Sequence, residues 1–184
     1  MTDVFISYRT SDEPMTAVFI KHVLGNRIGD QRVFLDNTSI PLGTHFPPTI
    51  EKALDDCQAL VAVIGVRWLE ADQNGRRRVD DPSDWVRREI IHVLGRGIPV
   101  IPVLIGDVHL DQVALPTELA ALSSRQFLPV RVRSVEHDLR PLMDRLSDLV
   151  DPPGADGATT SATVSNVFND TVYAPNGVFG ISNN

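Results

Sequence analysis

Short apolar runs alternate along this chain with longer segments of mixed polarity. Runs with the length and composition of β-strands occur at 4–6, 32–36, 59–65, 98–105 and 125–132. The run at 59–65 is almost purely apolar, which is typical of a central strand buried on both faces of a sheet. Pro99 and Pro102 place the fourth run at an end or an edge of the sheet, since proline donates no hydrogen bond to a ladder.

Between these runs, apolar residues recur at helical spacing. Helices are predicted at 11–24, 48–57, 81–94, 118–122 and 137–150. The first is expected to end among the glycines at 25–29. In the third, Asp81 is the predicted N-cap and Pro82 suits the first helical position. Trp85 and Glu89 lie four residues apart and share one face, beside the core-facing residues Val86, Ile90 and Val93.

Strand and helix alternate up to about residue 150, which predicts βαβ units and an α/β fold with helices on both faces of a parallel sheet. Ligands bind such sheets outside the carboxyl ends of the strands. The residues expected at that edge are Ser7, Tyr8, Arg9, Asp36 and the connection 66–85 that leads to Trp85 and Glu89. The chain has neither a G-x-G-x-x-G motif nor a Walker-type loop, so an ordinary dinucleotide or NTP fingerprint is missing.

Composition narrows the class of protein. The chain has 184 residues, 42% of them hydrophobic and 22% charged, which fits one soluble domain followed by a tail. A net charge of −7 argues against a nucleic-acid partner. Cys57 is the only cysteine, so neither a disulfide framework nor a cysteine-based zinc site is possible within one chain.

The sequence also lacks the patterns of targeting segments and metal sites. The first residues lack the pattern of a signal peptide, and no apolar stretch approaches the length of a membrane span, so a cytoplasmic location without a membrane partner is expected. His22, His45 and His92 show no metal-ligand spacing, and neither a metal nor a cofactor is expected.

The motifs together resemble the TIR domains of bacteria that consume NAD⁺. The resemblance covers about residues 3–150 and is carried by four segments, 3–9, 33–36, 39–43 and 83–89. The last, Ser-Asp-Trp-Val-Arg-Arg-Glu, resembles the family's serine–tryptophan–glutamate motif for NAD⁺ cleavage. A cysteine frequent in the family is replaced here by Val86, which keeps the hydrophobic role. The resemblance implies a flavodoxin-like, three-layer TIR fold with a five-stranded parallel sheet at 1–150.

The resemblance also implies hydrolysis of the nicotinamide–ribose bond, with NAD⁺ as a substrate rather than a cofactor. Glu89 is then the catalytic residue. The residues expected to bind substrate are Trp85, Arg9, Ser7, Tyr8, Phe5, Asp36 and Ser83. The family's mobile BB loop corresponds to Ser39, Ile40, Pro41, Leu42 and Gly43, which are expected to approach the site of a neighbouring protomer.

Each of these side chains also has an ordinary structural explanation. Glu89 suits a solvated helix glutamate paired with a nearby arginine, and Trp85 suits packing at the rim of the core. Arg9 suits a solvated loop, and Phe5 suits the core. The sequence leaves these alternatives open, as it leaves open a loop role or a protomer contact for the arginines at 76–78.

The composition changes after residue 150. Residues 151–163 have the Pro, Gly, Ser and Thr content of a flexible linker, whereas 164–184 alternate apolar residues with Asn, Ser and Thr and carry almost no charge. The second stretch resembles amyloid-like, RIP-homotypic-like assembly motifs of bacterial immune effectors. The residues expected to drive this assembly are Val167, Phe168, Val172, Val178, Phe179 and Ile181. A disordered tail with chance alternation is the alternative.

Three functions remain open from the sequence. The first is an NAD⁺ hydrolase in bacterial antiphage or cell-suicide immunity, activated by self-assembly and triggered by an NLR-like sensor that carries a matching motif. The second is a non-catalytic TIR adaptor that acts by homotypic binding. The third is a TIR cyclase that makes a signalling nucleotide. Glu89, in its frame with Trp85, favours an enzyme over the adaptor.

Overall fold

Residues 2–35 and 46–151 are described by the computed structural model, and their centre is one parallel sheet of five strands. The strands are β1 (Val4–Ser7), β2 (Val33–Leu35), β3 (Ala59–Ile64), β4 (Val100–Ile105) and β5 (Leu128–Val130). Their spatial order is β2-β1-β3-β4-β5, and every neighbouring pair is parallel. This is the order of the flavodoxin-like fold, and the predicted α/β class with a five-stranded parallel sheet is confirmed.

The helices cover both faces of the sheet. They are α1 (Pro14–Ile28), α2 (Phe46–Asp56), α3 (Trp85–Gly95), α4 (Val135–Asp138) and α5 (Arg140–Val150). Side chains alternate along β3, so that Leu60, Ala62 and Ile64 pack with α2 and α3. The intervening residues of β3 pack with α1 and α5 on the other face. All of β3 is buried, which explains its uninterrupted apolar sequence.

The two prolines predicted an end or an edge rather than the centre of a ladder, and the edge alternative is wrong. β4 lies inside the sheet between β3 and β5. Pro102 is aligned with Ala62 of β3, whereas the ladder with β5 begins only at Val103, opposite Leu128. Pro102 therefore lies where β4 has one paired neighbour, and Pro99 precedes the strand.

Local structure departs from the predicted elements at three further places. The connection from β4 to β5 contains 3₁₀ helices at Leu110–Gln112 and Thr117–Leu122, and the second lies where a short helix was predicted at 118–122. The predicted last helix is divided into α4 and α5, and α5 begins with a proline in its first turn, where the missing N–H has no partner to lose. Helix α1 continues through Gly25, where a Cβ would come 3.0 Å from Asp30 Oδ1, and ends before Gly29, whose φ is +103°.

Several predictions concern residues outside the described ranges. They are the binding role of Asp36, the BB loop at 39–43, the linker and the assembly motif. Within the described ranges no helix is long and apolar enough to cross a membrane, and no cluster of His, Cys, Asp and Glu side chains could hold a metal ion. Cys57 is buried, and burial raises the pKa of its thiol to about 11.

The loop that follows β5 is closed by Asp138, and its carboxylate predicts a pH-dependent stability. Asp138 accepts hydrogen bonds from the backbone N–H and guanidinium of Arg131 (3.0 and 3.1 Å) and from the hydroxyl of Ser134 (2.9 Å). The Arg131 guanidinium, first among these, lowers the pKa of Asp138 well below its ordinary value of 3.8. Because the folded-state pKa is depressed, the stabilisation is present above pH 3.8 and is lost as the pH falls through the folded pKa.

We therefore expect Asp138→Asn to lower the free energy of unfolding at pH 7, by an amount that shrinks as the pH falls below 3.8. Urea denaturation of both proteins at a series of pH values measures this. A difference that stays constant down to pH 3 would contradict the role of the charged carboxylate.

Candidate active site

The start of α3 is fixed by Asp84. Its backbone is extended, and its Oδ1 accepts a hydrogen bond from the backbone N–H of Arg87 at 2.9 Å, so Asp84 is the N-cap. The predicted N-cap, Asp81, instead closes the preceding turn by accepting hydrogen bonds from the N–H (2.8 Å) and Oγ (2.7 Å) of Ser83. The helix begins at Trp85, and the prediction that Pro82 occupies its first position is wrong.

Glu89 lies one turn into α3 and faces the end of β1. Ser7 Oγ donates a hydrogen bond to Glu89 Oε2 at 2.6 Å, and only 2% of Glu89 is exposed. Alternation along β1 brings this contact about, because Phe5 and Ser7 point to the α3 face while Val4 and Ile6 point to the α1 face. The prediction of a solvated Glu89 paired with an arginine is wrong for this geometry, since the carboxylate is buried against a hydroxyl.

A second contact lies beside the first. Arg9 donates from both η nitrogens to the carboxylate of Asp84, at 2.6 and 2.9 Å, and both side chains are 2% exposed. The Arg9 guanidinium also lies 5.6 Å from the ring centre of Trp68. A solvated Arg9 is therefore excluded in this structure.

The two contacts are separated by similar distances on both sides, between Ser7 and Arg9 and between Glu89 and Asp84. Ser7 and Arg9 are separated by about 6.6 Å along the strand, since each strand residue rises about 3.3 Å. Glu89 and Asp84 are separated by about 7.5 Å along the helix, since each helical residue rises about 1.5 Å. A helix antiparallel to its strand can thus make both contacts at once, and α3 is held on β1 by two polar pairs.

Trp85 lines two cavities. One, which we call the glutamate cavity, has a volume of about 100 Å³ and is lined by Glu51, Leu54, Trp85, Arg88, Glu89 and His92. The other, which we call the arginine cavity, has a volume of about 400 Å³ and is lined by Tyr8, Arg9, Thr10, Ser11, Arg78, Asp84, Trp85 and Val86. Trp85 is half-buried, and the guanidinium of Arg88 lies 4.8 Å from its ring centre.

The structure brings together most of the residues predicted to form the site. Ser7 contacts Glu89, Trp85 and Glu89 line the glutamate cavity, and Tyr8, Arg9 and Trp85 line the arginine cavity. The binding roles predicted for these residues stay predictions.

Two of the residues predicted to bind substrate are elsewhere. Phe5 is fully buried and stacks on Phe34, with ring centres 5.1 Å apart. This agrees with its alternative explanation as a core residue. Ser83 is exposed, bonded to Asp81, and lines neither cavity.

Sequence reasoning missed two charged residues of this region. By sequence, Asp84 is one more carboxylate near the positive end of the helix dipole, whereas in the structure it binds the guanidinium of Arg9. The available signal was its place directly before Trp85, where an N-cap aspartate is as plausible as at 81. Arg78, which lines the arginine cavity, is one of three consecutive arginines, and no pattern in the sequence distinguishes it from its neighbours.

A sequence model of the family described as TIR domain matches residues 4–151. The TIR domain of the Toll-related receptor TRR-2 from Hydra magnipapillata is 19% identical, with 79% of this chain and 94% of that chain covered and a TM-score of 0.45. The TIR domains of the activated Roq1 resistosome, which directly recognises the pathogen effector XopQ, are 18% identical, with 93% and 92% covered and a TM-score of 0.41. A search of curated proteins found no match.

Proposed function

This chain belongs to the TIR domain family, and on that premise we propose that it is an NAD⁺ glycohydrolase with Glu89 as its catalytic residue. The bond broken joins C1′ of the ribose to the pyridinium nitrogen of nicotinamide. Its electron pair leaves with nicotinamide, which departs neutral and needs no general acid. Water adds to C1′ and loses a proton, so the products are nicotinamide, ADP-ribose and H⁺.

The buried carboxylate of Glu89 is the observation that carries this proposal. As the bond breaks, positive charge develops on the ribose, as in glycoside cleavage. A carboxylate held in place before the reaction and shielded from water stabilises such a charge more strongly than a solvated one. Glu89 meets both conditions, because it is 2% exposed and is oriented by the hydroxyl of Ser7.

The size of the glutamate cavity supports activation by assembly. Its volume of about 100 Å³ holds a few water molecules, each occupying about 30 Å³ of liquid, and is too small for a ribose together with its nicotinamide. Cleavage therefore requires the walls of this cavity to move apart. We propose that contacts between chains cause this movement, through the loop at 39–43 and the tail at 164–184, both outside the described residues.

The proposed setting is an effector of bacterial antiphage immunity that is switched on by a sensor with a matching tail motif. Clustering raises the local concentration of TIR domains and allows one protomer to complete the site of the next. Production of a cyclic isomer of ADP-ribose would make the chain a signalling cyclase instead, with the same role for Glu89.

Nicotinamide release is expected to depend on assembly. For the full chain, turnover per molecule should rise with protein concentration, whereas a 1–155 chain should remain slow at every concentration. Chromatography of NAD⁺ incubations measures nicotinamide and also separates ADP-ribose from cyclic isomers. If the assembled full chain releases no nicotinamide, the catalytic proposal fails and a binding adaptor is favoured. If the 1–155 chain turns over NAD⁺ as fast as the full chain, only the proposed role of the tail is contradicted.

A further inference from the structure

Arg9 is poorly placed to bind the phosphates of a substrate. Both of its η nitrogens are bonded to Asp84, and its side chain is 2% exposed. The pair is neutral as a whole, so a phosphate would have to displace Asp84 from a buried site to bind this guanidinium. The cost of leaving a buried charge without its partner opposes that exchange.

Arg78 has the opposite properties. Its side chain is 68% exposed and lines the arginine cavity, and its Nε lies 3.6 Å from Asp84 Oδ2, which is longer than a hydrogen bond. Within residues 2–35 and 46–151 its guanidinium donates no hydrogen bond. The hydrogen bonds that Ser83 donates lower the pKa of the neighbouring Asp81 carboxyl, and the charges of Arg87 and Arg78 add smaller effects in the same direction.

The charges that line the arginine cavity therefore do not cancel. Arg9 and Asp84 neutralise each other, and the exposed Arg78 adds one positive charge. Tyr8, Thr10 and Ser11 line the same cavity, and each carries a hydroxyl group, which is able to donate a hydrogen bond to an anion. With a volume of about 400 Å³, the cavity is four times as large as the glutamate cavity, and Trp85 lines both.

We propose that the arginine cavity binds the diphosphate of a dinucleotide, and that Arg78 is the residue that pairs with its charge. The inference rests on NAD⁺ as the proposed substrate. Trp85 then lies between the diphosphate on one side and the ribose next to Glu89 on the other. An arginine fork suits this task, since it donates two parallel hydrogen bonds to phosphate oxygens. Arg78 sets the affinity for the anionic part of the substrate and takes no part in bond cleavage.

The test compares substrates and ligands with and without a diphosphate, using the full chain. Arg78→Ala is expected to raise KM for NAD⁺ about tenfold and to leave kcat unchanged, because one charge-assisted contact is lost. KM for nicotinamide riboside, which has no phosphate, should stay the same. Calorimetry should show ADP-ribose binding weakened about tenfold. Arg78→Lys should recover part of both losses by restoring the charge without the fork.

Arg76→Ala is the matched control. It removes the same charge from the same loop, but Arg76 does not line the arginine cavity. ADP-ribose binding should be unchanged in this variant, and thermal melting of each variant verifies the fold. The inference is overturned if wild-type protein does not bind ADP-ribose, if Arg78→Ala binds it as tightly as wild type, or if Arg76→Ala weakens it equally. An Arg78-dependent affinity for ADP-ribose in a chain that releases no nicotinamide would contradict the proposed hydrolysis and leave this inference standing.

Discussion

Glu89→Gln is expected to lower the rate of nicotinamide release by at least about a hundredfold, the loss typical when one preorganised electrostatic group is removed from an active site. Glutamine has nearly the same shape as glutamate, and its carbonyl oxygen can still accept the hydrogen bond that Ser7 donates at 2.6 Å. The substitution therefore removes the negative charge and preserves the packing of α3 on β1. The loss should appear in kcat, because the charge on the ribose exists only as the bond breaks.

Glu51→Gln is the control for this variant. Glu51 lines the same cavity, carries the same charge and is exposed, whereas Glu89 is buried against Ser7. Its replacement should change kcat by less than about threefold, since an exposed charge is screened by solvent. Steady-state kinetics of nicotinamide release measures kcat for both variants. Full activity in Glu89→Gln, or an equal loss in Glu51→Gln, would show that burial and orientation of the carboxylate are not what the reaction needs.

Asp84→Ser is expected to lower the free energy of unfolding by about 3–5 kcal/mol, the range measured when one partner of a buried ion pair is removed. Serine is itself a good N-cap, so the start of α3 keeps its cap. The variant leaves the positively charged guanidinium of Arg9 in the interior, 3% exposed, without the carboxylate that pairs with it. Guanidinium chloride denaturation measures the loss.

The double variant Arg9→Met with Asp84→Ser separates the charge from the packing. It leaves no unpaired charge in the interior, so it should be clearly more stable than the sum of the two single variants predicts. The pair of Arg77 and Asp80 serves as a control, with side chains 24% and 46% exposed. Asp80→Ser there should cost no more than about 1 kcal/mol. Additive effects at Arg9 and Asp84 would mean that the two charges do not stabilise the fold as a pair.

The layers of the fold were predictable because they depend on local patterns. The uninterrupted apolar run of β3 required burial on both faces, and the spacing of Val86, Ile90 and Val93 required a core-facing helix surface, which the structure confirms. The order of strands and helices then placed Glu89 at the carboxyl edge of the sheet. The sequence did not show that β4 lies inside the sheet. Pro102 is tolerated there because it is paired with β3 on one side, while the ladder with β5 on the other side begins only at Val103.

The details of the site depend on contacts that no local pattern contains. Asp81 and Asp84 are both suitable N-caps, and the helix begins at the one whose carboxylate also meets Arg9, 75 residues away in sequence. Of the three consecutive arginines, Arg78 lines the arginine cavity, whereas Arg77 is bonded to Asp80 and to the carbonyl of Ala114. The binding roles predicted for Ser83 and Phe5 came from the family resemblance, whereas Ser83 is exposed, Phe5 is fully buried against Phe34, and neither lines either cavity.

The pairing of β1 with α3 also bears on synthesis of the protein. Ser7 and Glu89 are 82 residues apart, so the proposed catalytic carboxylate is set in place only after more than half of the folded region has left the ribosome. Contacts of such long range form late, since the intervening loop must close before they contribute. A nascent or truncated chain that ends before α3 therefore lacks the contact between Ser7 and Glu89, and on the proposed function such a chain would release no nicotinamide.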